Sequence, residues 1–342
     1  MSTGLNMAGG ALLIIAAALA TALMIKAAMP VLRRYALARP NARSSHTVPT
    51  PQGGGMAIVL TIVALLIGIA IFGSHEASPG WAIMLAVVLI LLAVIGAVDD
   101  IHALPVTVRL VVQFVAAALV VSAIPDEFRI LVFLPGWLEV FGLTVGMVWF
   151  INLTNFMDGI DGITVVEMIS ISAGIVLIHN LAGTPATTFT SVVAIGLIGA
   201  LLGFAPFNRH VAHVFMGDVG SLPVGALVGW MLIVIAGEGF IAAALLLPMY
   251  YLFDATITLY RRWRRGEKLH EAHRSHFYQL AVQHGFRVPD VTNCIFGLNV
   301  ALILLALLTV QFRSVTVDLA CLIAGAILTA ALLRHFERGR YV

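Results

Sequence analysis

Polar residues that could bind a metal ion or a phosphate recur at every third position of one short motif between two long apolar runs. The motif reads Asn152-Leu-Thr-Asn-Phe-Met-Asp-Gly-Ile-Asp-Gly162, and its repeated polar residues are Asn152, Asn155, Asp158 and Asp161. In a helix, side chains at this spacing would form a short polar spiral. Carboxylates beside membrane hydrocarbon are costly, so such residues are candidates for function. The structural alternative is that the amides link helices and that Asp158 caps the next helix.

A pair of adjacent acids ends another apolar run, in Gly96-Ala-Val-Asp-Asp-Ile-His-Ala-Leu-Pro105. Neighbouring carboxylates repel each other, and such a pair usually shares a proton or a cation. Arg109 follows one turn into the next predicted helix, where it could hold Asp99 and Asp100 or a phosphate. The alternative is a solvated turn in which one of the two acids caps that helix.

Two further acids lie near predicted membrane boundaries. Asp218 sits between glycines at the start of a predicted helix, and Asp254 lies near the end of a later apolar run, ahead of a basic stretch at 261–268. We expect most of these basic residues to contact anionic lipid head groups. An oxygen-rich set of Asp and Asn side chains suits Mg²⁺, with Mn²⁺ as a substitute, because Mg²⁺ usually takes one or two carboxylates together with substrate phosphates. The residues therefore predict phosphoryl transfer.

The elements that must position these residues are membrane helices. The chain has 342 residues, of which 61% are hydrophobic and 11% charged, and this composition excludes an ordinary soluble globular protein. Apolar runs near the ~20 residues that a bilayer requires predict an all-α polytopic protein with about 11 transmembrane helices. The predicted spans are 7–29, 53–73, 81–98, 106–124, 137–153, 161–181, 187–205, 219–236, 239–258, 293–312 and 315–333. We predict a single transmembrane domain, 1–342, whose main cytoplasmic loop is 259–292.

The distribution of Lys and Arg predicts the orientation of the chain. With the N-terminus outside and the C-terminus in the cytoplasm, all of the 19 Lys and Arg residues except Arg129 and Arg313 fall at cytoplasmic ends and loops. The acids described above then share the cytoplasmic face. A net charge of +2 gives no indication of nucleic-acid binding, and both cysteines, Cys294 and Cys321, lie in apolar runs, so we expect no disulfide.

A transporter that relays protons or cations through these acids is an alternative from another functional class. Such a protein would be expected to carry acids near the bilayer midplane and broken helices in matching halves. Here the acids cluster at the predicted cytoplasmic boundary. Their position favours transferase chemistry.

Three consecutive glycines, Gly53 to Gly55, open the second predicted helix. Glycine amides at a helix N-terminus can approach an anionic group closely. Close packing between helices explains such a stretch equally well. The sequence supports both interpretations.

Taken together, these motifs resemble the polyprenyl-phosphate N-acetylhexosamine-1-phosphate transferases, the MraY/WecA-like family in glycosyltransferase family 4. The likeness extends from Pro49 to Gln279, and the loop motif is most similar to that of WbpL-type enzymes that initiate O-antigen synthesis. It implies Mg²⁺-dependent transfer of a sugar-1-phosphate from a UDP-N-acetylamino sugar to undecaprenyl phosphate, with release of UMP. It also implies a multi-pass protein of the bacterial cytoplasmic membrane with a cytoplasmic active site. A homodimer is left open.

The resemblance further implies roles for the acids. Asp218 and Asn155 match Mg²⁺ ligands, and Asp99 matches the acid that deprotonates or receives the lipid phosphate, with support from Asp100. His276 completes the implied catalytic set with Asp99, Asp100 and Asp218.

The implied nucleotide-sugar site is a larger set. Its members match positions near the uridine, the diphosphate or the sugar, and they are Gly159, Asp161, Asn208, Phe215, Arg274 and His276. The additional motif residues are Asn152, Asp158, Arg109 and Asp254.

One departure from the family pattern concerns the loop after Asp254. Many members carry His-x-His-His, whereas this chain has His276-Phe-Tyr-Gln279. If Tyr278 faces the sugar, its apolar ring would tolerate a deoxy carbon, which predicts a preference for 6-deoxy N-acetylamino sugars. The alternative is that Tyr278 and Gln279 only pack the loop.

Overall fold

The computed structural model describes residues 7–38, 49–73, 79–125, 128–183, 189–268 and 273–339. Within these ranges the chain forms thirteen α-helices and one short two-stranded sheet. Four residues of the predicted cytoplasmic loop, 269–272, lie outside the described residues.

The helices follow one another along the chain. They are α1 (Met7–Tyr35), α2 (Gly55–Phe72), α3 (Pro79–Ile101), α4 (Val106–Ser122), α5 (Gly136–Met157), α6 (Ile163–Ala182), α7 (Phe189–Asn208), α8 (Asp218–Gly237), α9 (Ile241–Leu246), α10 (Met249–Arg264), α11 (Phe277–Gln283), α12 (Val288–Phe312) and α13 (Val315–Arg338). The strands are β1 (Leu37–Ala38) and β2 (Thr50–Pro51), which pair antiparallel.

The lengths and composition of these helices confirm an all-α polytopic membrane protein. In the described part of the chain, nine helices are long and apolar enough to cross a membrane, and α4 is a shorter apolar helix. The exact number of spans and the orientation of the chain remain predictions.

One predicted span is interrupted. The apolar run 239–258 does not form a continuous helix, because α9 ends at Leu246 and α10 begins at Met249. Pro248 lies between them, and a proline has no N–H to donate and clashes with the carbonyl four residues earlier. The prediction of a single helix over 239–258 is therefore wrong.

Helix α8 lies at the centre of the bundle, packed against α3, α5 and α2. Its apolar stretch is 94% buried, and a helix that is apolar on all sides is typical of such a position. Asp218 is the first residue of α8. The central helix thus carries this acid at its N-terminus.

The ends of α2, α3 and α8 meet at glycines. A Cβ at Gly55 would lie 2.8 Å from the backbone nitrogen of Gly220, and a Cβ at Gly96 would lie 2.6 Å from the backbone nitrogen of Val219 and collide with the carbonyl of Asp218. Side chains at either position would push the helices apart. These glycines allow the backbone of α3 to touch the turn that carries Asp218.

The first glycine stretch is used for packing. The N–H groups of Gly54 and Gly55 donate to the carbonyls of Phe215 and Met216, each at 2.9 Å. These two amides are therefore engaged within the fold. The structure favours the packing interpretation of this stretch over an anion-binding one.

The motif at 152–162 is helical only in its first half. Helix α5 ends at Met157, and α6 begins at Ile163 after Gly162, which has a φ of 79°. Glycine adopts this left-handed conformation without a steric cost. The predicted polar spiral is therefore wrong beyond Asn155. The alternative that Asp158 caps α6 is also wrong, because Gly162 is the N-cap and the cap has no side-chain hydrogen bond.

Candidate active site

A cavity of about 560 Å³ opens at one end of the bundle, where α3, α5 and α7 end and α8 begins. The predicted site residues on its wall are Asp100, Asn155, Asp158, Gly159, Asp161, Asn208, Phe215 and Asp218. The predicted residues that do not line it are Asp99, Arg109, Asn152, Asp254, Arg274 and His276. The structure thus gathers acids from three separate motifs in one place.

Asp100 fixes the start of α8. Its Oδ1 accepts a hydrogen bond from the backbone N–H of Asp218 at 2.9 Å, and its Oδ2 accepts one from Val219 at 3.1 Å. The first N–H groups of a helix have no partner within the helix, and a negative charge is favourable there. Asp100 therefore acts as a cap, but on α8 and not on α4, the helix that follows it in sequence.

Asp218 and Asn155 are in direct contact. The Nδ2 of Asn155 donates to Asp218 Oδ1 at 2.7 Å and to Ser221 Oγ at 3.0 Å. Both side chains line the cavity. The fold therefore brings together the two residues that the sequence proposed as Mg²⁺ ligands.

Asp99 is paired with a cation. Its Oδ2 lies 2.5 Å from Nη1 of Arg109, and its Oδ1 accepts the backbone N–H of Leu104 at 2.7 Å. The same Nη1 lies 3.7 Å from Asp218 Oδ2. Arg109 thus bridges two carboxylates, and the opposite charge relieves their repulsion.

Asp158 lies in the loop between α5 and α6. Its Oδ1 accepts a hydrogen bond from Thr164 Oγ1 at 2.6 Å. Burial raises the pKa of Asp158 to about 7; the charges of Asp100 and Asp161 add to this rise, and the hydrogen bond from the Thr164 hydroxyl opposes it. A carboxyl group with this pKa is partly protonated near neutral pH.

Asp161 holds the segment after α7. Its Oδ2 accepts from the backbone N–H of Ala212 at 3.1 Å and lies 2.8 Å from Nδ1 of His210. The His210 side chain is 41% exposed and lines the cavity. The sequence analysis missed His210, although it lies two positions after the matched Asn208.

Asn208 joins the motif loop to the end of α7. Its Oδ1 accepts the N–H of Gly162 at 2.9 Å, and its Nδ2 donates to the carbonyl of Val214 at 3.1 Å. Both ends of this amide are therefore used to hold the cavity wall.

A second residue that the sequence analysis missed is Gln52, which lines the cavity and donates to the Asp100 carbonyl at 3.2 Å.

Asn152 has the structural role given as the alternative for the motif's amides, because it links two helices. Its Nδ2 donates to Gln113 Oε1 on α4 at 2.6 Å and to the Val148 carbonyl at 2.8 Å. Polar links of this kind join neighbouring membrane helices. Asn152 therefore positions α5, the helix that carries Asn155.

Comparison with known proteins decides the family. Residues 81–236 match the family described as glycosyl transferase family 4. A phospho-N-acetylmuramoyl-pentapeptide-transferase of Streptococcus sanguinis (strain SK36) is 30% identical over 263 residues, which are 71% of this chain and 76% of the relative. The chain belongs to glycosyl transferase family 4.

Other relatives match a similar share of the chain. A probable undecaprenyl-phosphate N-acetylglucosaminyl 1-phosphate transferase of Bacillus subtilis (strain 168) is 26% identical over 299 residues, 80% of this chain and 78% of the relative. A decaprenyl-phosphate N-acetylglucosaminephosphotransferase of Mycobacterium tuberculosis (strain CDC 1551 / Oshkosh) is 27% identical over 293 residues, 74% of this chain and 70% of the relative. The predicted MraY/WecA-like membership is confirmed, and the chain is a membrane-embedded transferase.

In this family 4 transferase, Asp254 is the centre of the junction between α10 and α11. It is completely buried, and its Oδ1 lies 3.0 Å from both His276 Nδ1 and the backbone nitrogen of Phe277. His276 is only 2% exposed and is not part of the cavity wall. Its imidazole is held inside the protein by Asp254, and its role at the diphosphate or the sugar stays a prediction.

The two departures from the family loop pattern lie in different places. Tyr278 is completely buried and its hydroxyl donates to the Phe156 carbonyl at 3.0 Å, whereas Gln279 lines the cavity. The expectation that the Tyr278 ring faces the sugar is wrong, and the inferred preference for 6-deoxy donors loses its basis. The alternative, in which Tyr278 packs the loop, describes its position.

Arg274 lies just before this junction. Among the described residues, no hydrogen-bond partner meets its buried Nε, while its carbonyl accepts from Gln283 Nε2 at 2.8 Å. Nearby, burial lowers the pKa of His273 to about 4, helped by the positive charges of His276 and Arg262. His273 is therefore neutral at pH 7. Of the neighbouring residues His273 and Arg274, Arg274 is the one that carries a positive charge.

The donors present fit a magnesium ion. Among the described residues, no group of three or more His, Cys, Asp and Glu side chains is arranged to hold a metal. The Asp218 carboxylate and the Asn155 amide nevertheless meet at the cavity wall, 2.7 Å apart. Mg²⁺ commonly takes one or two protein oxygens and completes its shell with water and substrate phosphates. Asp218 and Asn155 would supply the protein share of such a shell.

Proposed function

We propose that this transferase moves an N-acetylamino sugar-1-phosphate from a UDP-sugar to undecaprenyl phosphate and releases UMP. The observation that carries the proposal is the convergence of Asp100, Asp158, Asp161 and Asp218 on one cavity at the end of a membrane bundle. The names of the relatives support it, because they describe sugar-1-phosphate or closely related transfers to polyprenyl phosphates. The site would lie on the cytoplasmic side of the bacterial inner membrane.

The reaction exchanges one phosphorus–oxygen bond for another. An oxygen of the lipid phosphate forms a bond to the sugar-bearing phosphorus, and the bond from that phosphorus to UMP breaks. Such transfers depend mainly on positioning and on neutralising negative charge. In this chain Arg109 lies between Asp99 and Asp218, where it can turn towards a phosphate. Asp99 is then released from its partner and can take a proton from the lipid phosphate.

A magnesium ion held by Asp218 and Asn155 would supply the charge neutralisation that the diphosphate needs. The remaining carboxylates have other tasks. Asp100 keeps the start of α8, and with it Asp218, in place. Asp161 and Asn208 hold the wall on which the uridine would lie.

A second, apolar cavity supports access by a lipid acceptor. It has a volume of about 420 Å³, lies between α1, α2 and α3, and shares Gln52 and Asp100 with the first cavity. An apolar groove next to a carboxylate-lined cavity suits a molecule with a long hydrocarbon tail and a phosphate head. The lipid-linked product would start the assembly of O-antigen or of a related cell-envelope polysaccharide.

The decisive experiment incubates the purified protein with Mg²⁺, undecaprenyl phosphate and a panel of UDP-N-acetylamino sugars, and measures UMP. We expect UMP release that requires both the lipid and Mg²⁺, with at least one donor preferred. Ion uptake into proteoliposomes, without UMP release from any donor, would replace the transferase by the transporter alternative.

A further inference from the structure

One buried polar side chain close to the cavity has no part in the reaction proposed above. The hydroxyl of Tyr278 donates to the carbonyl of Phe156 at 3.0 Å. Phe156 is in the last turn of α5, where carbonyl groups have no partner within the helix. Burial raises the pKa of the Tyr278 phenol well above its usual value of 10, so the hydroxyl remains a donor.

Tyr278 also lies directly behind the cavity wall. A Cβ added to Gly159 would collide with the Tyr278 hydroxyl and would lie 2.9 Å from its Cζ. Gly159 lines the cavity, and it is not among the described glycines with a positive φ. Position 159 therefore requires glycine for a steric reason, because a side chain there would clash with Tyr278.

The other side of Tyr278 is anchored to α10. Its backbone N–H donates to Asp254 Oδ2 at 3.2 Å, and its ring stacks on His276 at 5.6 Å with an angle of 16° between the planes. His276 is itself held by Asp254. The ring is thus fixed between the α10–α11 junction and the loop at 158–162.

We propose that Tyr278 is a positioning residue that sets the height of the 158–162 loop and so aims Asp158 and Asp161 into the cavity. This inference rests on the proposed function, because it assigns Tyr278 to the donor side of that same site. It gives the departure from the family loop pattern a physical meaning. In this chain the residue at position 278 packs against the cavity wall from inside the protein, where Tyr278 contacts Gly159.

The test is a double-mutant cycle with Gly159→Ala, Tyr278→Phe and the combined variant. A carboxylate shifted by a fraction of an ångström to an ångström should cost up to roughly a hundredfold in turnover, so we expect Gly159→Ala to lower kcat by about that factor. Tyr278→Phe removes the atom that the new Cβ meets first. Because Cζ would still lie 2.9 Å from the new Cβ, the phenyl ring must shift slightly, and the combined variant should recover part of the lost turnover, about tenfold. Gly146→Ala on α5, where a Cβ meets nothing within 4 Å, is the matched control and should keep wild-type kinetics.

Two readouts separate positioning from plain packing. Tyr278→Phe should raise KM for the UDP-sugar and lower kcat, with KM for the lipid unchanged. A variant that only loses thermal stability, and whose folded fraction has wild-type kcat and KM, would overturn the proposal.

Thermal unfolding of the same proteins measures the contact without substrate. Changes in Tm that are non-additive between Gly159→Ala and Tyr278→Phe support the pair, and additive changes overturn it. A wild-type protein that releases no UMP with any donor would refute the proposed function, while the Tm cycle would still decide whether Tyr278 sets the position of this loop.

Discussion

Asp99, Asp100 and Asp218 carry the same chemical group, but their partners give them different tasks. Both oxygens of Asp100 accept backbone N–H groups of α8, and Asp99 faces Arg109. Asp218 meets Asn155 at the cavity wall. Of the three, Asp218 is the acid whose partner set best suits a metal ion.

At Asp218 we predict a loss of metal-dependent turnover. Asp218→Asn keeps the shape of the side chain but removes the charge that would bind Mg²⁺. Loss of one electrostatic contact to a transition state costs roughly 10²–10³ in rate, so UMP release should fall by at least that factor. The measurement is kcat as a function of Mg²⁺ concentration.

Asp318→Asn, at the other end of α13 from its basic last turn, is the matched control and should retain full activity. Asp99→Asn should also lower the rate of UMP release. Its Mn²⁺ binding, measured by electron paramagnetic resonance, should persist. Normal turnover of a folded Asp218→Asn protein at limiting Mg²⁺ would remove Asp218 from the metal site.

Asp158 predicts a pH dependence of stability. Its pKa is raised from 3.8 to about 7 in the folded protein, so the folded state favours the protonated carboxyl group. The contribution to stability is complete below about pH 3.8 and is lost as the pH rises through about 7. In metal-free detergent solution, Tm should therefore fall between pH 5.5 and pH 8, by roughly a few degrees at most.

Asp158→Asn provides the comparison for this titration. An amide does not ionise, so the variant should show a flatter dependence of Tm on pH over the same interval. Identical slopes for the two proteins would show that other groups dominate the titration.

Between elements, glycines decide how closely the helices approach the site. The carbonyl of Asp218 lies against Gly96 of α3, and Gly55 of α2 lies against Gly220 of α8. The cap from Asp100 acts across the same contact. Three helices therefore meet around the turn that carries Asp218.

Substitution of Gly96 should disturb this meeting point. A methyl group at Gly96 collides with the Asp218 carbonyl and lies 2.6 Å from the Val219 nitrogen, so Gly96→Ala must displace α3 or α8. Since a displacement of about 1 Å can cost a hundredfold in rate, we expect kcat to fall by roughly 10–100-fold. UMP release per folded protein is the measurement.

The control lies on the same helix. A Cβ at Gly80 meets nothing within 4 Å, so Gly80→Ala should retain activity. Equal activity of Gly96→Ala and wild type would mean that the contact between α3 and α8 can relax without moving Asp218.

Across the whole molecule, the acids at the end of α3, in the loop after α5 and at the start of α8 share one end of the bundle. A common face is what the hydropathy and charge pattern predicted. The loop that carries Ser275 is joined to this face through Tyr278, which contacts Phe156. The side of the membrane on which this face lies follows from the positive-inside rule and can be measured.

Cysteine accessibility tests the orientation. In a background without Cys294 and Cys321, single cysteines at Ala103 and Ser275 should resist an impermeant thiol reagent added from the periplasm. A cysteine at Val132, which is 71% exposed in a predicted outer loop, should react. The opposite labelling pattern would reverse the topology and place the cavity outside the cytoplasm.

The amino-acid sequence by itself determined the class of the protein, most of its spans and the four carboxylates on the cavity wall. Hydropathy over ~20 residues is a local property, and costly carboxylates at membrane boundaries stand out in any apolar chain. The same local view failed at 239–258, where Pro248 breaks the helix, and at 152–162, where α5 ends at Met157 and Gly162 begins the turn into α6.

Only the tertiary structure decided what each polar group does, because its partners are distant in sequence. Asp100 binds the N–H of Asp218, 118 positions later, and Tyr278 reaches a carbonyl 122 positions earlier. A carboxylate that is satisfied by backbone donors is a cap, and one left beside an amide at a cavity wall can hold a metal ion. The spacing of residues along the chain does not contain this distinction, since it depends on which helices pack together.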